Sequence, residues 1–151
     1  MAKQPADSRT KPRQQVAALP YQARAEGTLV MLVTSRETGR WVLPKGWPKK
    51  RLTHAESAAM EAYEEAGLVG DMATESIGLY SYAKLAGDDH STTCVVAVFP
   101  LRVVELLSQW PECTERRRQW FTLTEAARVV DEGDLKVLLR SLAATGAENL
   151  G

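Results

Sequence analysis

Between Gly46 and Leu68 the chain reads GWPKKRLTHAESAAMEAYEEAGL. At roughly 100° per residue, a helix over this stretch sets Glu64 and Glu65 about 60° and 40° to either side of Glu61. Three carboxylates on one edge repel, each like-charge pair costing about 0.2–0.5 kcal/mol. A cation relieves that repulsion, and hard oxygen ligands suit Mg²⁺ or Mn²⁺. Ala55, Ala58, Ala59, Ala62 and Ala66 form a second, small apolar face that can lie flat on a sheet while the acidic edge looks into a cleft.

The ends of this helix are written in the sequence. Thr53 and Glu56 have the spacing of a capping box, and Gly67 stands where a left-handed C-terminal cap is wanted. Upstream, Lys45, Lys49, Lys50 and Arg51 crowd one turn. Cations beside a carboxylate cluster describe a polyphosphate site, with metal on one side and Lys or Arg on the other.

The frame resembles the Nudix box, G-x5-E-x7-R-E-U-x-E-E-x-G-U, with U a bulky aliphatic residue. Gly46, Glu61, Glu64, Glu65, Gly67 and Leu68 match in register, and Ala62 matches the first aliphatic position loosely. Leu52 replaces the first Glu of the pattern and Met60 its Arg. The resemblance implies an α/β fold, an α/β/α sandwich with a mixed β-sheet and the box as a loop–helix–loop. It implies hydrolysis of phosphoanhydride bonds with Mg²⁺ or Mn²⁺ as cofactor. Carried over by position, Glu61, Glu64 and Glu65 are metal ligands and catalytic residues, joined by the backbone carbonyl of Gly46.

Some members of the family place a further catalytic carboxylate on the loop before the last strand. Here that loop offers Glu115 first and Glu112 second. Lys45 is the leading phosphate contact, followed by Arg36, Arg40, Lys49 and Lys50. An Arg at position 60 would stand one turn before Glu64 and orient it by charge-assisted hydrogen bonds. Met60 cannot, so either metal affinity drops or another cation substitutes, with Lys49 and Arg117 as candidates. His54 and His90 read as exposed polar residues.

Composition bounds the rest. The 151 residues, 44% hydrophobic and 25% charged, suit one globular domain with a sizeable core. A formal net charge of +0 argues against a nucleic-acid or membrane partner. Locally, Lys3, Arg9, Lys11, Arg13 and Arg24 outnumber Asp7. Cys94 and Cys113 have neither metal spacing nor the look of a disulfide framework, Cys94 reading as a buried thiol. No apolar run reaches membrane-span length and no secretory leader is visible, so a cytoplasmic setting is expected.

The expected layout is a disordered tail over 1–14, a hydrolase domain over 15–145 and a C-terminal tail over 146–151. Strands are expected over 15–23, 27–35, 41–43, 77–85, 92–104 and 117–122, with a turn at Gly87–His90. Thr122 or Thr124 opens a helix through Val130, and 134–143 forms the last one. A monomer or a homodimer is expected.

Within the family, RWVLPKGWPKK, AAMEAYEEAG and RRRQWFTLTEAARVV look most like the diphosphoinositol polyphosphate phosphohydrolase and dinucleoside polyphosphate hydrolase branch. That implies diphosphoinositol polyphosphates or diadenosine polyphosphates as substrates. Two alternatives stand beside it. An RNA 5′-pyrophosphohydrolase would use the basic tail and Arg116–Arg118. A nucleotide-binding module of the same fold would follow if losing the pattern's Glu and Arg had weakened catalysis.

Overall fold

The structure, a computed structural model, describes residues 12–85, 91–145 and 150. The expected turn at Gly87–His90 lies outside these residues, as do residues 1–11 of the expected tail.

Its centre is β1 (Arg13–Arg24), whose VAALPY core is apolar at consecutive positions instead of alternating. Such a strand must be covered on both faces. β2 (Gly27–Thr34) pairs antiparallel to it across a tight turn, and β7 (Ser91–Leu106) pairs parallel to it on the other side. The main path of the sheet is β3-β2-β1-β7-β5, with β3 at Trp41–Val42 and β5 at Leu68–Met72. Three strands join off that path: β4 (Lys45–Gly46) on β1, β6 (Gly78–Leu85) on β7 and β8 (Arg118–Thr122) on β2.

Helix α1 (His54–Ala66) covers one face, and α2 (Leu123–Val129) with α3 (Gly133–Thr145) covers the other. The pleat of β1 sorts the two cores. Val16 and Ala18 pack with Ala55, Ala58, Ala62 and Ala66 of α1. Ala17, Leu19 and Tyr21 pack with Leu123, Ala126, Leu135 and Leu139. This is the expected mixed-sheet sandwich. Alanines let α1 lie close to the sheet, which brings its acidic edge level with the loop after β4.

Both halves of the α1 capping box are present, and Gly67 adopts φ 65°, ψ 37° while donating its N–H to the Tyr63 carbonyl. Thr122, not Thr124, caps α2, again with a complete box through Glu125.

The structure moves several boundaries. β1 starts at Arg13, because Arg13 and Gln14 pair with Cys94 and Val95. Leu150, the described residue of the expected C-terminal tail, packs into the α2–α3 core. The last helix runs from Gly133 to Thr145, longer at both ends than expected. β7 runs on to Leu106 because it changes partners: β6 occupies it up to Val98 and β5 from Leu101. Pro100, which has no N–H to give, sits between the two. β5 itself has no counterpart in the sequence reading. Ala59 leaves the packed face and joins Leu52, Met60 and Tyr63 along an outer groove.

Candidate active site

The loop from Trp47 to Thr53 turns the chain from β4 into α1, with Arg51 at φ 72°. Its middle is fixed by the Lys49 N–H, which donates to the Ser57 hydroxyl at 2.9 Å. A Cβ placed on Gly46 would lie 2.5 Å from Cδ and Oε2 of Glu61. The glycine is needed for that close approach, since its backbone lies outside the left-handed region. The Glu61 carboxylate rests directly on the Gly46 backbone, and Lys49 Nζ meets its Oε2 at 2.5 Å. Burial tends to lower the Lys49 pKa, but the hydrogen bond and charge of Glu61 outweigh it and leave the amine raised.

Glu65 lies one turn further along. Its Oε1 accepts from the Lys45 N–H at 3.3 Å, and its Oε2 faces Arg116 Nη2 at 3.5 Å. Burial pushes its carboxyl up to about 8, with Arg116 opposing the shift and Glu61 adding to it. Arg116 is held from three sides: Nε donates to Glu112 at 2.6 Å, Nη1 to the Thr34 carbonyl at 2.9 Å, and Nη2 faces Glu65.

The same segment closes the end of α1, whose last carbonyls lack intrahelical partners. The Glu112 N–H bonds the Glu64 carbonyl, Trp110 Nε1 the Glu65 carbonyl and Arg118 Nη1 the Ala66 carbonyl. The acidic edge and the loop after β7 therefore form one unit.

Between them lies a cleft of about 460 Å³ lined by Gln15, Arg36, Lys45, Lys49, Glu61, Glu65, Tyr82, Glu112 and Arg116, among others. A side lobe of about 280 Å³ adjoins it across Lys45 and Tyr82, walled by Trp41, Arg40, Asp131 and Glu132. In that lobe Arg40 pairs with Asp131 at 3.0 Å and Lys45 faces Glu132 at 3.9 Å. Lys45 Nζ also stands 4.8 Å over the Tyr82 ring, whose hydroxyl donates to Gln15 at 2.6 Å.

The cleft gathers Gly46, Glu61, Glu65, Lys45, Lys49 and Arg36 as the sequence suggests. Glu64 stays half-buried beside it, though its charge helps raise Lys49. Arg40 reaches only the side lobe, and Lys50 points to solvent on the turn before α1. Glu115 is not a cleft residue: it sits on an exposed turn, paired with Arg36 at 3.0 Å. Glu112, anchored through its N–H to α1, is the carboxylate of that loop that lines the cleft. His54 opens α1 and is exposed, while His90 lies outside the described residues. Cys94 is fully buried and, like Cys113, a free thiol.

Position 60 lies on the outer side of α1. Met60 faces away from the cleft and lines an apolar groove of about 470 Å³ together with Leu52. The two departures from the motif are thus one local change, a charged pair of residue types exchanged for an apolar pair. The cations on the glutamates come from elsewhere: Lys49 serves Glu61 and Arg116 serves Glu65, whereas Arg117 lies over Trp41 at 5.7 Å. Within the run Arg116–Arg118 only the three-dimensional structure separates these roles. Gln15, Tyr82 and Glu132 carried no sequence signal for the site.

Among the described residues, no three acidic, His or Cys side chains are placed to enclose an ion, Glu61 and Glu65 being turned to their cations. The donor set nevertheless fits a hard divalent metal. Two buried carboxylates converge beside Gly46, and the missing Cβ of that glycine leaves the space in which one of them lies.

The chain is similar to known proteins in both sequence and fold. The NUDIX domain family profile matches residues 11–141. Nudix hydrolase 21, chloroplastic, of Arabidopsis thaliana is 30% identical over 137 residues, 85% of this chain and 65% of that protein. Diphosphoinositol polyphosphate phosphohydrolase 3-alpha of Mus musculus is 28% identical over 120 residues, 78% of this chain and 69% of that one. The crystal structure of C. elegans Ap4A hydrolase superposes with a TM-score of 0.64 at 17% identity, over 89% of this chain and 98% of that one. The chain spans 49% to 65% of the length of the first four curated relatives. A profile match that takes in every described strand and the glutamate-bearing helix makes this chain a member of the NUDIX domain family.

Proposed function

We propose that the protein is a divalent-metal-dependent pyrophosphohydrolase that cleaves phosphoanhydride bonds in polyphosphorylated small molecules. The observation that carries this reading is the Glu61 carboxylate seated on Gly46, with buried Glu65 one turn away and Lys45, Lys49 and Arg36 around the same cleft. Hydrolases of this family generally use divalent metals such as Mg²⁺. Held by Glu61, Glu65 and the Gly46 carbonyl, with Glu64 beside them, Mg²⁺ or Mn²⁺ would neutralise phosphate oxygens and acidify a water.

The chain's own residues supply the rest. Arg116 fixes the Glu65 carboxylate, and its bond to Glu112 ties the second carboxylate to the first. Glu112, which lines the cleft, is the candidate to receive a proton from the attacking water. Lys45 and Arg36 spread charge along the polyphosphate, whose transition state is stabilised mainly electrostatically.

The side lobe bears on the substrate. Its cations Arg40 and Lys45 already face Asp131 and Glu132, and its walls include Trp41 and Tyr82. A balanced, aromatic-walled lobe suits a neutral group with hydrogen-bond donors better than further phosphates. This favours diadenosine polyphosphates over diphosphoinositol polyphosphates. A cytoplasmic setting accords with two free thiols, and no helix among the described residues is long and apolar enough to cross a membrane.

A hydrolysis panel with Mg²⁺ and Mn²⁺ tests the reading: diadenosine tetra- to hexaphosphate, diphosphoinositol polyphosphates, ADP-ribose and nucleoside triphosphates. The highest kcat/KM is expected for diadenosine polyphosphates. Best turnover of ADP-ribose would refute the substrate class, and tight metal-independent binding without turnover would replace the enzyme by a binding module.

A further inference from the structure

The two buried glutamates of the cleft are neutralised in different ways. Arg116 has three partners and a side chain only 9% exposed, so it is built into the wall. Lys49 is 34% exposed, and its amine has one hydrogen-bond partner among the described residues, Glu61 Oε2 at 2.5 Å. What is fixed in Lys49 is its backbone, through the bond from its N–H to Ser57 Oγ. Glu61 cannot follow the amine, because its carboxylate is 9% exposed and lies against the Gly46 backbone where a Cβ would be.

We propose that Lys49 is an exchangeable counter-ion: it holds Glu61 while no divalent ion is bound, and gives that oxygen up to the metal. Its amine then swings about the anchored backbone into the cleft and binds a phosphate oxygen of the substrate. This rests on the metal-dependent reading above. The reasoning is electrostatic and steric. An ammonium at Glu61 Oε2 and a divalent ion on the same carboxylate repel across a few ångströms, and only the lysine is free to leave. Glu64 adds to the field that holds the amine in the metal-free state. Once a metal neutralises that field, a phosphate becomes the best remaining partner. Metal and polyphosphate therefore bind with positive coupling that runs through one side chain, and by linkage each tightens the other. Arg116, locked by Thr34 and Glu112, takes no part in the exchange.

The test is Mn²⁺ binding to the full chain without substrate, followed by electron paramagnetic resonance of the free ion. Lys49→Met should bind Mn²⁺ about tenfold more tightly than wild type. Lys84→Met removes the same charge from the same cleft but not from Glu61, and should change the affinity less than threefold. Methylenebisphosphonate, a non-hydrolysable phosphoanhydride mimic, supplies the second arm. The Mn²⁺-loaded variant should bind it about tenfold more weakly than the loaded wild type, while the metal-free proteins bind it alike. In the wild type, the Lys49 ammonium resonance in a ¹⁵N-lysine spectrum should shift on Mg²⁺ addition, before any phosphate is present. Unchanged or weaker Mn²⁺ binding by Lys49→Met, or an equal gain in Lys84→Met, would overturn the exchange while leaving hydrolysis intact. Failure of every protein to bind Mn²⁺, with hydrolysis undiminished by a chelator, would overturn the metal-dependent reading as well.

Discussion

Gly46→Ala separates the site from the fold. The glycine has an ordinary backbone conformation, so alanine introduces no strain there. What the new methyl meets is the Glu61 carboxylate, at 2.5 Å from Cδ and Oε2 and 2.7 Å from Oε1. Restoring a 3.4 Å contact moves that carboxylate by about 0.9 Å, and the atoms that yield are the end of a side chain, not backbone. Stability should hardly respond. Loss of glycine freedom in the unfolded chain gains about 0.4–1 kcal/mol, and an off-rotamer Glu61 gives back about 0.5–1.5 kcal/mol. The two nearly cancel. Activity should respond strongly, because a misplacement of ~1 Å in a reacting array costs on the order of 10²-fold. That is about 2.7 kcal/mol of transition-state stabilisation. The assay pairs kcat/KM for diadenosine pentaphosphate at saturating Mg²⁺ with a urea melt of the same preparation. Gly67→Ala is the contrasting variant: at φ 65°, with the Trp110 ring 2.7 Å from the added Cβ, it should lose stability first. If Gly46→Ala keeps activity within threefold of wild type, Glu61 does not act from the place described. If it unfolds, the glycine serves the fold.

Three further outcomes follow from the same geometry. Glu65 is held near 8 against an ordinary 4.5, so between those values the folded metal-free protein keeps a proton that the unfolded chain has released. Stability in chelator should therefore fall as pH rises from about 5 to 8, and Glu65→Gln should flatten that slope in denaturant melts; a wild-type stability that rises over this window contradicts it. Glu112→Gln should cost at least about tenfold in kcat, within the range of a lost general base, whereas Glu115→Gln, removing a surface pair with Arg36, should stay within twofold; the reverse order in steady-state kinetics would return the role to Glu115. Leu52→Glu and Met60→Arg, made singly, should each destabilise by about 1 kcal/mol without altering Mn²⁺ affinity, and the double variant should recover at least ~0.5 kcal/mol as coupling; a Met60→Arg variant that binds Mn²⁺ more tightly would restore the idea that position 60 serves the metal.

Much of this architecture can be read from local chemistry. The α1 caps at Thr53, Glu56 and Gly67, the alanine face and the acidic edge are decided within a few residues of each other, so their pattern survives folding unchanged. β5 is different. Gly70 and Asp71 interrupt its apolar character, and it exists because β7 offers a partner across a register shift at Val69/Gly70. The cations of the site are also long-range: Arg116 reaches Glu65 only because the loop after β7 closes the end of α1. In a run of three arginines no local rule says which one turns inward. Met60 is a different case. Its helical spacing from Glu64 is real, but Leu52, in the turn before the helix, makes that side of α1 an apolar groove.

The central claim is that Glu61 and Glu65 hold a divalent metal for attack by water on a phosphoanhydride. Hydrolysis of diadenosine pentaphosphate in H₂¹⁸O with Mg²⁺ tests it most directly, run on the wild type, Glu61→Gln and Glu65→Gln, with products analysed by mass spectrometry. The expected result is one ¹⁸O in a single phosphate product of the wild type, and turnover lowered by about 10²-fold or more in both variants while each remains folded. Wild-type rates in either variant, or turnover that continues undiminished in a chelator, would contradict it.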